Sequence, residues 1–320
     1  MMIMTKNRIS VIIPLLNESL NIDYLVGELN RTYSNVGNVD VEIIFVDDGS
    51  SDDSFEKLKS SSFGNYGVFL IKLSKNYGSH AAIRAGNQVA KGDYITFQGA
   101  DLQDTVDLPL LLYQKISEGF DLVWAIRRTT KVGFLEKLFS GFYAALIKKY
   151  AFRNYPQKGI DICMYNKKIQ YQLNQNIESN SSLQLQILSF GYKEAYVEYD
   201  KLERLHGRSK WTLSKKIKLL IDSFVAFSYA PIRFVTILGF SFFIIGSSWM
   251  FYVLWRKIFV GDVNSGWPAL ISTLLIGFGV TNISLGIIAE YLWRTLDSSR
   301  KRPVFIIDKV IEINNPSSLL

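Results

Sequence analysis

The sequence predicts an α/β protein with a mainly parallel, Rossmann-like sheet flanked by helices, followed by an amphipathic interfacial segment and two transmembrane helices. Three observations carry this prediction. Short β-branched apolar runs alternate with helical patterns through the first half of the chain, the rhythm of repeated βα units. Polar and acidic residues follow those runs directly, at the strand ends where open parallel sheets bind ligands. Past residue 230 the composition turns apolar, with 22 uncharged residues between Arg233 and Arg256 and 27 between Asp262 and Glu290. At ~20 residues per crossing, each stretch suffices for one span.

The elements follow in order. Ile9-Ser10-Val11-Ile12-Ile13-Pro14 is a strand closed by proline, and Asn17-Glu18-Ser19 opens a helix ending near Tyr33. Val41 to Val46 is a second buried strand, followed by Asp47-Asp48-Gly49-Ser50-Ser51-Asp52. Adjacent acids at a strand end repel unless a ligand, donor or cation uses them, whereas Asp52 reads as a helix cap. Val68 to Leu73 is a third strand, and Ser74 to His80 leads into a helix whose small residues, Ala81 to Gly86, allow close packing on the sheet. A lone histidine at a helix start, as His80 is, is more often a hydrogen-bonding residue than a ligand or base.

Tyr94-Ile95-Thr96-Phe97 is a fourth strand, and Gln98-Gly99-Ala100-Asp101-Leu102-Gln103-Asp104 follows it. Asp101, Gln103 and Asp104 together can share a divalent cation through oxygen ligands; an acidic turn capping the next helix is the competing reading. A helix around Leu108 to Ser117 precedes a strand from Asp121 to Ala125 that ends in Arg127-Arg128. Lys131 to Tyr150 is aromatic and basic at helical spacing, suited to packing on the domain or to membrane contact. Asp161 sits in an apolar, strand-like run, where burial would raise its pKa as suits a general base; an ordinary satisfied buried aspartate is an equal contender.

Arg204 to Trp211 is a glycine-hinged basic loop whose Arg204, Ser209 and Lys210 are suited to gripping phosphate, or to lying as a solvated patch on a membrane surface. Leu213, Ile217, Leu220, Ile221, Phe224 and Val225 then form one helical stripe, with Lys215, Lys216 and Lys218 on other faces, as suits a helix lying on an anionic membrane. The net charge of +7 is unevenly placed: Lys201 to Lys218 holds seven Lys or Arg against Glu203, directly before the apolar region. That placement favours an anionic membrane surface, and acidic strand ends argue against nucleic acid. The positive-inside rule then puts the N-terminal domain and the C-terminal tail in the cytoplasm, with Glu290 near the second span's end paired to a cation or seated in the interface. The single Cys163 excludes an internal disulfide, and no signal peptide is read at the N-terminus. The expected parts are a catalytic domain over 1–211, an amphipathic helix over 212–230, spans at about 234–255 and 268–290 within 231–293, and a tail over 294–320 that adds a late strand near Pro303 to Ile307. Gly239, Gly246, Gly277, Gly279 and Gly286 permit close helix contacts and self-association as a homo-oligomer.

Taken together, these motifs resemble the family 2 glycosyltransferases that move a sugar from a nucleotide to a polyisoprenyl phosphate. The resemblance rests on Ile13-Pro14-Leu15-Leu16-Asn17-Glu18, Val46-Asp47-Asp48-Gly49-Ser50, Leu73-Ser74-Lys75-Asn76-Tyr77-Gly78, Ala100-Asp101-Leu102-Gln103-Asp104, Gly207-Arg208-Ser209-Lys210-Trp211 and paired spans ending near Arg302-Pro303. It implies a GT-A-type fold and an inverting transfer of a hexose, UDP-glucose being the leading donor, to undecaprenyl phosphate at the bacterial inner membrane. A GDP-mannose donor and a non-catalytic nucleotide-sugar-binding scaffold are the alternatives. By the same resemblance Pro14, Leu16, Glu18, Asp47 and Asp48 line the base and ribose pocket, Asp101 and Gln103 hold Mg²⁺ or Mn²⁺, and Arg127 meets the donor sugar or acceptor phosphate. Arg204 and Lys210, with Ser209 beside them, grip phosphate, and Asp161 is a base or acceptor-site residue. Gly99 stands where the family often has an acid, and Leu16 where it often has tyrosine. A processive polymer synthase is disfavoured by having only two spans and no Gln-x-x-Arg-Trp sequence.

Overall fold

The computed structural model describes residues 6–128, 134–152, 155–156, 160–178, 182–202, 221–223, 225–228, 230–261, 266–300 and 302–314. Arg204, Ser209, Lys210 and most of the amphipathic segment expected over 212–230 lie outside the described residues. The chain divides into two compact units, Met1–Leu219 with Pro303–Leu320, and Leu220–Arg302.

The first unit is a sheet of eight strands in the order β7-β5-β6-β4-β1-β2-β3-β8. Its first half runs β1 (Arg8–Leu15), α1 (Ile22–Tyr33), β2 (Asp40–Asp47), α2 (Ser54–Ser60), β3 (Gly67–Leu73), α3 (Ser79–Val89) and β4 (Tyr94–Phe97). It continues with α4 (Leu108–Ile116), β5 (Leu122–Arg127), α5 (Phe134–Tyr150), β6 (Ile162–Asn166), α6 (Lys167–Gln175), α7 (Leu183–Ser189) and β7 (Glu194–Tyr199), and β8 (Ile307–Asn314) returns after the second unit. Parallel pairs join β1 to β2 and β4, β2 to β3, and β5 to β7. The unbroken apolar runs are explained by burial on both faces. Ile9, Val11 and Ile13 pack with Leu25 and Leu29 of α1 and Leu108 and Leu112 of α4. On the opposite face a Cβ at Gly86 of α3 would come within 2.5 Å of Ile12 Cγ2, so only glycine lets this helix lie so close to the sheet.

Two strands run against the parallel direction. β6 is antiparallel to β4 and β5, and β8 is antiparallel to β3. The late strand expected near Pro303 to Ile307 begins at Ile307 and runs to Asn314. Proline at 303 offers no N–H to a ladder, so pairing starts only beyond it. The segment expected as a tail is therefore, in its second half, an edge strand of the sheet.

The second unit holds α8 (Ala230–Phe259) and α9 (Trp267–Arg300). Stretches Ala230–Phe259 and Ile276–Asp297 are long and apolar enough to cross a membrane, and large apolar side chains such as Phe240, Phe251 and Phe278 are exposed along them. At 1.5 Å per residue both helices are longer than a hydrocarbon core of ~30 Å is thick. Thr236, Ser241, Thr281 and Ser284 donate their hydroxyls to carbonyls four residues earlier, which satisfies them without water. Arg294 gathers Glu290 at 2.9 Å and Asp222 at 2.6 Å, which places Glu290 in an ion pair. The Cβ positions of Gly239, Gly246, Gly277, Gly279 and Gly286 meet no described atom within 4 Å, so contact between α8 and α9 does not run through them.

Candidate active site

The site lies at the C-terminal edge of the parallel strands. Asp47 is the last residue of β2 and is fully buried. Its Oδ1 accepts from the Ser50 N–H at 3.1 Å, whereas its Oδ2 has no partner among the described residues. Asp48 next to it has both oxygens occupied, accepting from the N–H groups of Tyr77 at 2.7 Å and Gly78 at 2.8 Å. Burial pushes the Asp48 carboxyl up, the two N–H donors pull it down and Asp47 adds to the rise, leaving it above the ordinary range. Gly49 has φ +73°, and a Cβ there would meet the backbone of Lys75 at 2.6 Å, so the turn after β2 and the turn after β3 interlock.

The turns after β1 and β2 interlock in the same manner. Asn17 N–H donates to Ser50 Oγ at 2.9 Å, Ser51 N–H to Asn17 Oδ1 at 2.8 Å and Glu18 N–H to Ser54 Oγ at 2.9 Å. Asp52 accepts from the N–H of Ser54 and of Ser19, so it caps the first turn of α2 and ties the two loops. Asn21 Nδ2 holds Glu18 Oε2 at 2.7 Å. Pro14, in β1, lies beside Val46. Pro14, Leu16, Glu18 and Asp47 thus share the rim formed by β1 and β2, while the Asp48 carboxylate faces the third loop.

Gln98 follows β4 and is buried, with Oε1 lacking a partner among the described residues. The turn beyond it passes through Leu102 at φ 55°. Gln103 N–H donates to Asp101 Oδ1 at 3.3 Å. Asp104 is buried and accepts from the Tyr199 hydroxyl at 3.0 Å with Lys201 Nζ at 3.9 Å. Burial raises its carboxyl above the ordinary range; Lys201 and Tyr199 lower it, and Asp101 and Asp161 add to the rise. Leu202 N–H donates to Gln103 O at 2.8 Å, so the segment after β7 holds this loop from outside.

Asp161 reaches the same edge because β6 is antiparallel. It stands just before the strand, and Ile162 is level with Ala125. Its carboxylate pairs with the Arg127 guanidinium, and the pair is partly exposed. The expected burial of Asp161 is therefore not found: it stands between buried Ile160 and Ile162, one residue before the strand begins, with its side chain 44% exposed. Arg127 Nε is buried and has no hydrogen-bond partner among the described residues. His80 serves as a hydrogen-bonding residue, its Nδ1 accepting from the Leu183 N–H at 3.3 Å.

The donor set fits a divalent cation held mainly by its ligand. Asp101 and Gln103 occupy one turn, and a Cβ at Gly99 would lie 2.9 Å from Asp101 Oδ1, so position 99 faces the carboxylate but brings no oxygen. Among the described residues no three His, Cys, Asp or Glu side chains converge on a metal position. Mg²⁺ usually keeps waters and binds through one or two carboxylates plus phosphates, so this pair suits a diphosphate-bound cation and not a protein-only cage. Gln98, Tyr199 and Lys201 were not singled out as site residues from sequence. Gln98 is marked only by following a buried strand, Tyr199 carries no local signal, and Lys201 reads in sequence as one of the cations before the apolar region, because β7 reaches the site only by pairing with β5.

The glycosyl transferase family 2 profile matches residues 10–175. Over 307 residues, 96% of this chain and 95% of the relative, the sequence is 32% identical to the uncharacterized glycosyltransferase YkcC of Bacillus subtilis (strain 168). Over 316 residues, 97% of this chain and 96% of the relative, it is 28% identical to the undecaprenyl-phosphate 4-deoxy-4-formamido-L-arabinose transferase of Proteus mirabilis (strain HI4320). A solved structure of similar fold is glucosyl-3-phosphoglycerate synthase from Mycobacterium tuberculosis in complex with Mg²⁺ and UDP, with TM-score 0.50, 19% identity, and coverage of 68% of this chain and 78% of that one. With the profile spanning more than half of the chain and YkcC matching it nearly end to end, the protein belongs to glycosyl transferase family 2 and is a glycosyltransferase.

Proposed function

We propose that the protein transfers a hexose, with inversion, from a nucleotide-sugar to a polyprenyl phosphate at a membrane surface, with UDP-glucose and undecaprenyl phosphate as the first pair to test. One observation carries this reading. Two buried acceptor atoms without partners among the described residues, Asp47 Oδ2 and Gln98 Oε1, stand at the ends of β2 and β4, on the edge that also holds Asp101, Gln103 and the Arg127–Asp161 pair. Acceptors left without partners suit a ligand that brings donors, as a nucleobase N–H and ribose hydroxyls do. The acceptor class is supported by the Proteus mirabilis relative, whose name includes undecaprenyl phosphate.

In the transfer, a phosphate oxygen of the lipid forms a bond to the anomeric carbon as the bond from that carbon to the diphosphate breaks. The nucleoside diphosphate leaves with the electron pair. The acceptor is already anionic near neutral pH, so no proton need be removed, and Asp161 orients Arg127 instead of acting as an obligatory base. The Arg127 guanidinium, held by Asp161, supplies positive charge beside the anionic oxygens of the substrates. Mg²⁺ or Mn²⁺ held by Asp101 and Gln103 would neutralise the diphosphate. Arg204 and Lys210 are proposed to close on the phosphates.

The chain leaves the first unit at 219 and re-enters it at 303 to pair β8 with β3, which supports an even number of crossings between. Two helices supply it. The cations of 201–218 together with Arg300, Lys301 and Arg302 support a cytoplasmic position for this side by the positive-inside rule.

The test is incubation of the purified full-length protein in detergent with labelled UDP-glucose, other UDP-sugars or GDP-mannose, undecaprenyl phosphate and Mg²⁺ or Mn²⁺. Label is expected in the lipid phase with one donor, and Asp101→Ala is expected to cut the rate by roughly 100-fold. Absence of lipid-soluble label with every donor overturns the transferase proposal, and nucleotide binding retained in that case points to a scaffold.

A further inference from the structure

The donor side and the Asp161–Arg127 pair lie apart along the sheet edge. From β2, which ends at Asp47, to β6, which begins after Asp161, the order passes through β1 and β4. Three strand spacings amount to roughly 14 Å, too far for direct contact between the Asp48 and Asp161 side chains. A chain of hydrogen bonds nevertheless joins them by way of α3 and α7. Asp48 holds the N–H groups of Tyr77 and Gly78, and Gly78, at φ 93°, is the residue from which α3 starts. His80, in the first turn of α3, accepts from the Leu183 N–H at 3.3 Å, across 103 residues of sequence. Leu183 begins α7, which Ser182 caps by accepting from the Leu185 N–H. Ser182 Oγ also donates to Gln184 Oε1 at 3.2 Å, and this fixes the carboxamide so that Nε2 donates to the Asp161 carbonyl at 3.1 Å. The Asp161 side chain then pairs with Arg127.

We propose that His80 and Gln184 are positioning residues that link the donor-side loop to the Asp161–Arg127 pair, so that ordering of residues 74–80 by a nucleotide also orders residues 160–162. The link rests on the transferase reading only for the identity of the nucleotide. The His80 ring gives a hydrogen bond from α3 to the start of α7, and the ring is neutral: burial first, and Arg84 second, lower its pKa to about 4. A neutral imidazole with Nδ1 accepting is the form that this contact needs. Asparagine can place an oxygen where Nδ1 stands, whereas leucine cannot, so the two substitutions separate the contact from the volume.

The experiment is hydrogen–deuterium exchange on the full-length protein in detergent, for wild type, His80→Leu, His80→Asn and Gln184→Leu, without ligand and with UDP or GDP plus Mg²⁺. Without ligand, His80→Leu is expected to speed exchange about tenfold both at 183–185 and at 160–166, His80→Asn to restore it, and Gln184→Leu to speed it at 160–166. The amides of β8 report on general loosening and should stay as in wild type. A rise confined to 183–185, a rise at β8 equal to that at 160–166, or failure of His80→Asn to restore protection each overturns the link. With nucleotide, wild type should gain protection at both 74–80 and 160–166, and His80→Leu at 74–80 alone. Protection of 160–166 by nucleotide in His80→Leu also overturns the link, whereas no protection by either nucleotide in wild type counts against the transferase reading and leaves the ligand-free comparison to decide the link.

Discussion

Asp47 and Asp48 are adjacent acids with different duties. Asp48 gives both oxygens to backbone N–H groups, while Asp47 keeps one buried oxygen without a partner among the described residues. Asp48→Asn replaces one acceptor by an NH₂ group facing an N–H, and is expected to lower stability by roughly 1–3 kcal/mol, read as a fall in thermal midpoint in detergent. Asp47→Asn should weaken UDP binding in a titration while leaving the midpoint nearer to wild type. Gly99→Asp adds a carboxylate beside Asp101, whose Oδ1 lies 2.9 Å from the new Cβ, so the side chains must shift and the charges repel. Its midpoint is expected below wild type in EDTA and to rise more than wild type's on adding Mn²⁺ with UDP. His80 adds a pH dependence. Its pKa of about 4 in the fold is below the ordinary 6.5, so the unfolded chain takes the proton first as pH falls. The stability it contributes is full above about pH 6.5 and lost towards pH 4, and the wild-type midpoint should therefore fall more steeply over that window than that of His80→Asn. The need for some partner was legible at Asp47 and Asp48 because like charges side by side require one. Their division of labour was not, since it depends on the 74–78 loop folding back over β2.

At the scale of elements, the two antiparallel strands do most to complete the site. β6 delivers Asp161 to an edge that a parallel strand would have left distant, because its start and not its end lies there. β8 covers the outer side of β3, with Asn314 Nδ2 donating to Gly64 O at 2.7 Å and Tyr66 O at 2.9 Å. Ser74 N–H also donates to Ile306 O, so the returning segment supports the loop that Asp48 holds. Removing residues 303–320 bares a β3 edge and this loop together. The truncated protein is expected to unfold at lower temperature and to aggregate, as size-exclusion profiles in detergent would show, and a monodisperse product with the full-length midpoint would contradict that role. Strand positions were legible from apolar runs bounded by polar turns. Strand direction was not, because a run of Ile162 to Tyr165 reads alike both ways.

For the molecule as a whole, the return of β8 to the sheet links topology to membrane crossing. Cys163 is fully buried, so new cysteines are the only thiols expected to react. In a bacterial host, Val260→Cys at the end of α8 should be labelled on intact cells by an impermeant maleimide, whereas Glu312→Cys in β8 should require permeabilisation. Equal labelling of both on intact cells would contradict two crossings. By itself the sequence determined the α/β class, the acids at strand ends and two apolar stretches of spanning length, because these follow from periodicity, burial pattern and length, all local properties of the chain. Only the tertiary structure decided that Tyr199 and Lys201 flank Asp104, that Asp161 pairs with Arg127, and that His80 holds the start of α7. Those contacts join residues 34 to 103 positions apart, and their geometry is set by strand order and direction, which no local pattern encodes.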